Sequence, residues 1–115
     1  MKRLIVGVLL LSMVGIASAD DHWHTCGTFF EDWKSYKKYA EDKGNTTRDL
    51  WQGSEFRGYI RGWVDRDTWV KLPEEFAYKQ VSYVVGKWLE NHPELWHKHR
   101  SDCVYKALKE AYGLK

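Results

Sequence analysis

Two cysteines, Cys26 and Cys103, lie near opposite ends of the chain, and the sequence contains no others. In an oxidising compartment such a pair forms a disulfide, and two cysteines allow a single connectivity. They are 103 − 26 = 77 residues apart, so the bond would stabilise the fold by roughly 4.5 kcal/mol in the chain-entropy account. Neither lies in a Cys-x-x-Cys motif, which disfavours a redox-active pair. The sequence therefore predicts a small fold whose two ends are covalently joined.

The first 19 residues have the pattern of a secretory signal peptide, which would place the chain in such a compartment. They comprise a basic start at residues 1–3, an apolar run at residues 4–16 and a small-residue cleavage site at residues 17–19. The apolar run is too short to span a bilayer, and no cysteine directly follows the cleavage site to carry a lipid. We expect a periplasmic mature chain, residues 20–115, that forms one domain without a stable membrane anchor.

The charge of the mature chain argues against a nucleic-acid partner. The whole sequence has 18 Lys and Arg and 16 Asp and Glu. Lys2 and Arg3 lie in the signal peptide, which leaves 18 − 2 = 16 basic residues against 16 acidic ones. Nucleic-acid-binding domains normally carry a basic excess, so we expect no such partner.

Motifs that carry catalysis or bind cofactors are missing from the sequence. It has no His-Glu-x-x-His, no Gly-x-Ser-x-Gly, no glycine loop for phosphate and no cysteine pairs at zinc spacing. We therefore expect a protein that is not an enzyme, has no catalytic residues and needs no cofactor.

Four segments of the mature chain have apolar residues at helical spacing. The predicted helices run from the Thr28-Phe29-Phe30-Glu31 capping box to Lys43, from an N-cap at Ser54 to Asp65, from Pro73 to Glu90, and through Ser101 and Ala111 to Gly113. Residues 50–53 and 65–72 are predicted to connect them. Alternating strand patterns are almost absent, so we predict an all-α fold: a small four-helix domain with short links and one disulfide.

Gly58 and Gly62 lie four residues apart on one face of the second predicted helix. Each glycine costs about 1 kcal/mol in a helix interior. We therefore expect another backbone to pack closely against them, either within the chain or from a second chain.

Seven tryptophans are an unusual number for a chain of this size. Trp33, Trp63 and Trp88 fall on predicted apolar stripes and are expected in the core, whereas Trp23, Trp51 and Trp96 lie outside clear helix faces. Trp69 lies in a predicted loop between charged residues, and tryptophan is enriched at interaction hot spots. The competing interpretation is that Trp69 folds back beside Trp63. The residues predicted to bind a partner are Asp65, Arg66, Asp67, Thr68 and Trp69.

The second half of the chain carries short segments in a recognisable order. They are Gly58-Tyr59-Ile60 with Gly62 and Asp65, then Leu72-Pro73, Gln80-Val81, Lys87-Trp88-Leu89-Glu90-Asn91-His92-Pro93-Glu94, Ala107-Leu108 and Ala111-Tyr112. In order and spacing they resemble the Rap/Tai family of type VI secretion amidase immunity proteins. The commoner family pattern has cysteines in the neighbourhoods that Phe56 and Gly113 occupy here.

Members of that family are small periplasmic helical proteins, often dimeric, that bind and block a peptidoglycan amidase toxin. The resemblance therefore implies a periplasmic protein with a protein partner, a cell-wall amidase effector. It also implies a homodimer and a helical domain over residues 20–115.

The start of the first helix supports a second interpretation. Thr25-Cys26 followed by Phe29 or Phe30 is similar to the start of HdeA-type periplasmic acid-stress chaperones. That similarity implies a protein that opens below about pH 3 and then binds many unfolded proteins. Many buried or paired carboxylates in the folded state would favour such opening.

Histidines form two groups that bear on metal binding. His92, His97 and His99 surround the end of the third predicted helix, but their spacing does not stack them on one helical turn. We interpret them as surface or half-buried residues of a turn, with a metal or proton-sensing site as the alternative. Cleavage after Ala19 would create the terminus Asp20-Asp21-His22. Its free amine, two deprotonated amides and the His22 imidazole form a square-planar nitrogen set that suits Cu(II) or Ni(II).

We therefore predict that the mature terminus binds Cu(II) with a square-planar d–d absorption band, and that His22→Ala abolishes the band. Equal binding after the Asp20 amine is blocked would contradict this geometry and point to His97 and His99 instead.

Overall fold

A computed structural model describes residues 24–44, 46–66 and 69–115. Its helices are α1 (Cys26–Ala40), α2 (Thr47–Arg66), α3 (Tyr78–Asn91) and α4 (Arg100–Tyr112), with a 3-10 turn at Pro93–Leu95 before α4. These ranges contain no strand, only two isolated bridges, so the predicted all-α, four-helix fold is confirmed. None of these helices has the length and apolar character needed to cross a membrane. The predicted signal peptide lies outside the described residues and stays a prediction.

The starts of α1 and α4 are joined both covalently and by backbone hydrogen bonds. Cys26 and Cys103 form the predicted disulfide, with their Cα atoms 6.2 Å apart. The Cys26 N–H donates to the Lys98 carbonyl at 2.7 Å, and the Arg100 N–H donates to the His24 carbonyl at 2.8 Å. The first N–H groups of a helix have no partner within it, so each segment supplies acceptors that the other needs.

α1 begins at Cys26, before the predicted capping box. The side chain that caps it is Thr25, whose Oγ1 accepts from the Thr28 N–H at 3.2 Å. The helix ends at Ala40, three residues earlier than predicted. It ends there because Asp42 adopts a left-handed conformation with φ 57°, which breaks the helical path.

α2 begins at Thr47, so the prediction that residues 50–53 form a connector is wrong. Thr46 Oγ1 accepts from the Asp49 N–H at 3.0 Å and supplies the cap upstream. Ser54, the predicted cap, lies inside the helix.

α3 begins at Tyr78, five residues after the predicted start at Pro73. Ala77 has an extended backbone and its side chain makes no capping bond. The Phe76 ring meets the Tyr78 ring edge-on, with centroids 5.3 Å apart. Proline and acidic residues suit a first helical turn, but here they lie in a connector. The predicted end of α4 at Gly113 is confirmed.

The helices enclose one apolar core with an aromatic centre between α1 and α2. The Phe29 and Phe56 ring centroids are 4.6 Å apart, and those of Trp33 and Phe56 are 5.5 Å apart. Fully buried members of the core include Phe29, Trp33, Phe56, Ile60, Leu89, Leu108, Val81, Val85 and Val104. The core positions of Trp33 and Trp88 are as predicted.

Gly58 and Gly62 do not support a close contact within the chain. A Cβ added at either position would meet nothing within 4 Å, so the predicted intrachain packing at these glycines is wrong. They face solvent on α2, opposite its buried residues. Packing by a second chain at this face stays a prediction.

Close approaches between two helices occur at Gly53 and Gly86. A Cβ on Gly53 would lie 3.1 Å from the Tyr36 Cα, so α2 passes close to the α1 backbone there. A Cβ on Gly86 would lie 2.1 Å from Cδ2 of Trp33. The Trp33 indole therefore fills the space that an α3 side chain would otherwise occupy.

We predict that Gly86→Ala lowers the free energy of unfolding by about 3 kcal/mol, because the buried indole has to move. Gly62→Ala is the matched control: it adds the same methyl group to an open helical position and should be neutral or stabilising by up to about 1 kcal/mol. Urea unfolding of both variants measures the difference. Equal stabilities would contradict the contact between Trp33 and Gly86.

Candidate protein-binding surface

Large apolar side chains are exposed in two places among the described residues. They are Tyr39, Leu50, Trp51, Trp69 and Leu114. The first three belong to the end of α1 and the start of α2, and the last two follow α2 and α4. Clustered exposed apolar groups, aromatic ones above all, mark surfaces that bind partners.

The residues after α2 pair with the residues after α4. The Lys71 N–H donates to the Gly113 carbonyl and the Lys115 N–H donates to the Trp69 carbonyl, both at 2.9 Å. Between these bonds lies an antiparallel bridge of Val70 with Leu114. We call residues 69–71 together with residues 113–115 the Trp69 tip.

Neighbouring side chains in the Trp69 tip differ sharply in burial. Val70 is 3% exposed and belongs to the core, whereas Trp69 is 71% exposed and Leu114 is 43% exposed. The alternative in which Trp69 folds back onto α2 beside Trp63 is therefore wrong, and the ring contact of Trp63 is with Tyr105.

Asp65, where the second predicted helix ends, and Arg66, which was predicted in the loop, both lie in the last turn of α2. The Tyr78 hydroxyl donates to Asp65 Oδ1, and this bond raises the pKa of Tyr78. The Arg61 guanidinium lies over the Tyr78 ring, 4.5 Å from its centroid. Asp65 is thus held against the start of α3, a few residues from the Trp69 tip.

Two of the predicted partner-binding residues, Asp67 and Thr68, lie outside the described residues. Of the other three, Trp69 is exposed on the Trp69 tip, whereas Asp65 and Arg66 belong to α2. Sequence reasoning missed Leu114 and Lys115 because Gly113 was interpreted only as the end of a helix. No pattern in the sequence indicates that the segment beyond this glycine pairs with residues 69–71.

The second exposed group, Tyr39, Leu50 and Trp51, forms what we call the α1–α2 surface. A groove of about 120 Å³ between the helices is lined by Tyr39, Leu50 and Arg57 among others. Beside it, a trough of about 350 Å³ runs past Trp51 and Gly58. Trp51 is 70% exposed, so this surface is the alternative location for a partner.

Three other tryptophans have structural roles. Their indole N–H groups donate within the fold: Trp33 to Glu90 at 3.3 Å, Trp88 to Glu110 at 2.8 Å, and Trp96 to the Leu89 carbonyl at 2.9 Å. Trp96 also stacks on Phe30, with centroids 4.4 Å apart. These contacts bind helices to one another and leave Trp51 and Trp69 as the exposed tryptophans of the described residues.

Two of the three histidines near α4, His92 and His99, make structural contacts. His92 Nδ1 lies 2.8 Å from the Trp88 carbonyl and its ring stacks on the Trp88 indole. His99 caps α4, with Nδ1 accepting from the Ser101 N–H at 3.1 Å. Across the described ranges, no three His, Cys, Asp or Glu side chains gather as a metal site would require.

The predicted Cu(II) or Ni(II) site at the Asp20 amine and His22 falls outside the residues that the structure describes. It stays a prediction.

Asp32 on α1 has the most perturbed carboxyl group of the described residues. Burial, the nearby charge of Glu55 and that of Glu31 raise its pKa from 3.8 to about 6, while Arg100 acts in the opposite direction. The Arg100 guanidinium lies over the Tyr59 ring, 3.9 Å from its centroid. Asp32 is therefore a half-buried acid without a close cationic partner.

Glu90 at the end of α3 has the opposite perturbation. Its burial would raise the pKa, but the Trp33 hydrogen bond and the hydrogen bond and charge of Lys87, together with the charge of Lys37, lower it. The Lys87 and Lys37 ammonium groups lie 3.4 and 3.8 Å from its carboxylate oxygens. Glu90 is thus a paired carboxylate that bridges α1 and α3.

These features define a class of protein: a small, disulfide-joined helical domain that presents exposed aromatic groups on ordered segments. A sequence profile of the Rap1a immunity proteins matches residues 19–113. The match covers most of the chain, so the protein belongs to the Rap1a immunity protein family, and the resemblance to immunity proteins is confirmed. Members are generally non-enzymatic and typically periplasmic. Searches of curated proteins and of solved structures gave no match.

The raised pKa of Asp32 predicts a pH-dependent stability. Because the pKa of Asp32 is raised in the folded state, the protonated carboxyl group favours folding. Its contribution to the free energy of unfolding is complete below about pH 3.8 and is lost as the pH rises through about 6. Asp32→Asn should leave the free energy of unfolding at pH 4 nearly unchanged and increase it by about 1 kcal/mol at pH 7.5, a value reduced for solvent exposure.

Glu90→Gln is the contrasting variant for the same urea titrations. The lowered pKa of Glu90 gives stabilisation that is present above its unfolded pKa and is lost as the pH falls. This variant should therefore be destabilised at pH 7.5, with a smaller difference from wild type in acid. If Asp32→Asn destabilised the fold equally at both pH values, the account of Asp32 would be wrong.

Proposed function

We propose that this protein is a periplasmic immunity protein that binds a peptidoglycan amidase toxin and blocks its active site. Membership of the Rap1a immunity proteins supports the immunity role and a protein partner. An amidase as target, delivered by type VI secretion, follows from the resemblance of residues 56–112 to the Rap/Tai proteins. Export by cleavage after Ala19, leaving one domain of residues 20–115, belongs to the same proposal.

One observation carries the assignment of the binding surface: Trp69 is 71% exposed on a segment held from both sides. The buried Val70 anchors this segment to the core, and hydrogen bonds from residues 113–115 hold it at the surface. An ordered segment loses little conformational entropy on binding. Trp69 can therefore enter the cleft of an amidase, which is shaped to receive an extended peptide.

The acid-stress interpretation is not supported by the electrostatics. Opening in acid requires carboxylates that are paired in the folded state, as Glu90 is. Asp32 has the opposite effect, because its protonation favours the folded state. Protonation in acid therefore destabilises the fold at Glu90 and stabilises it at Asp32. Because these effects oppose each other, we retain the immunity function as the proposal.

Affinity capture tests the function. The mature protein, immobilised at neutral pH, should retain one enzyme from periplasmic extract in stoichiometric amount, and it should inhibit that purified enzyme on peptidoglycan. Capture of many unrelated unfolded proteins, or of no hydrolase, would contradict the proposal.

We predict that Trp69→Ala weakens binding to the captured enzyme by about 2 kcal/mol or more, because a hot-spot aromatic is lost, while the melting temperature hardly changes. Trp51→Ala is the matched control, since it removes an indole of nearly equal exposure from the α1–α2 surface. Titration calorimetry compares the two variants. A loss of affinity for Trp51→Ala alone would move the binding site to the α1–α2 surface.

A further inference from the structure

α4 ends in a turn that only glycine readily makes. Gly113 has φ 82° and ψ 174°, and its N–H donates to the Lys109 carbonyl at 2.8 Å. Side chains other than hydrogen are strained in this backbone region. Because of this turn, the last residues leave the helix direction and reach the segment that contains Trp69.

The pairing inside the Trp69 tip determines which way the Trp69 side chain points. The bridge of Val70 with Leu114 makes this stretch locally extended, and successive side chains of an extended chain lie on opposite sides. Val70 is buried, so Trp69 has to point away from the core. The hydrogen bonds to residues 113 and 115 keep the backbone in that conformation.

The same geometry places two lysines beside the indole. Lys71 is two residues from Trp69 and shares its side of the extended segment. Lys115 lies across from Trp69, because the Lys115 N–H bonds to the Trp69 carbonyl, and residues directly opposite in an antiparallel pair share a face. Both lysines are exposed. The outward face of the Trp69 tip is therefore an indole flanked by two ammonium groups.

We propose that residues 113–115 complete the partner-binding surface, by holding Trp69 outward and by adding Lys115 to Lys71 beside it. The partner that fits is a protein with an apolar pocket rimmed by carboxylates, since charges across an interface are complementary. The partner's identity rests on the proposed function, whereas the positioning of Trp69 by Gly113 does not.

Amide hydrogen exchange of the free protein tests the positioning. Gly113→Ala should break the pairing and speed exchange of the Lys71 and Lys115 amides by about tenfold or more, while core amides of α3 exchange as in the wild type. Gly62→Ala is the matched control, because that glycine is helical and has open space for a methyl group. Unchanged exchange at Lys71 in Gly113→Ala would overturn the positioning role.

Binding to the captured enzyme tests the surface. The double variant Lys71→Glu/Lys115→Glu keeps both backbone N–H groups, so exchange should be unaltered while affinity falls by about tenfold or more. Lys38→Glu/Lys98→Glu, an equal double reversal of two exposed lysines outside the Trp69 tip, controls for the change in net charge and should alter affinity by less than about twofold. Tighter binding of the double variant would show a basic partner surface and overturn the proposal.

The outcomes separate this proposal from the proposed function. Loss of binding in Trp69→Ala with full binding in Gly113→Ala and in the double variant would leave immunity in place and overturn the role of residues 113–115. If no enzyme is captured, the proposed function fails and the acidic-pocket partner with it. Exchange at Lys71 still decides whether Gly113 positions Trp69.

Discussion

The junction between the starts of α1 and α4 is the constraint on which the rest of the fold depends. The disulfide of Cys26 with Cys103 is reinforced by two backbone hydrogen bonds, from Cys26 to Lys98 and from Arg100 to His24. Through these bonds the first and last helices support each other's N-termini. α2 and α3 then pack against this pair, with the Trp33 indole filling the space left by Gly86. A domain this small buries a limited fraction of its surface, so a covalent link between segments distant in sequence contributes a large share of its stability.

Sequence reasoning was accurate where local periodicity or covalent chemistry decides the structure. The helix count, the disulfide, the core positions of Trp33 and Trp88, and the end of α4 at Gly113 follow from such signals. It failed where tertiary contacts decide. Gly53, taken from the sequence as part of a connector, lies inside α2 where this helix passes close to the Tyr36 backbone. The start of α2 at Thr47 rather than Ser54 is set by a local cap, Thr46, which the sequence analysis did not identify.

The glycines and the tip show the same limit. The pattern of a single sequence cannot tell which glycine faces another helix. Gly58 and Gly62, on the outer face of α2, were therefore assigned a close contact that belongs to Gly53 and Gly86.

The candidate site was predicted in part. Trp69 was identified as an aromatic residue that could be exposed, but the pairing of its segment with residues 113–115 spans more than forty positions of sequence. No local signal reports a contact of that range. Arg66 was predicted in a loop because the helical periodicity of α2 becomes weak there, although the helix continues through it.

The position of Lys115 in the Trp69 tip has a practical consequence for handling the protein. A purification tag or fluorescent fusion appended after this residue would begin within the surface that we assign to the partner, and its linker would compete with the bound protein for the same space. The start of α1 is about 20 Å away, one length of α4. A fusion placed before His24 would leave the Trp69 tip unobstructed. The position at which a tag is attached, rather than the kind of tag, therefore decides whether a pull-down of this protein reports its native interactions.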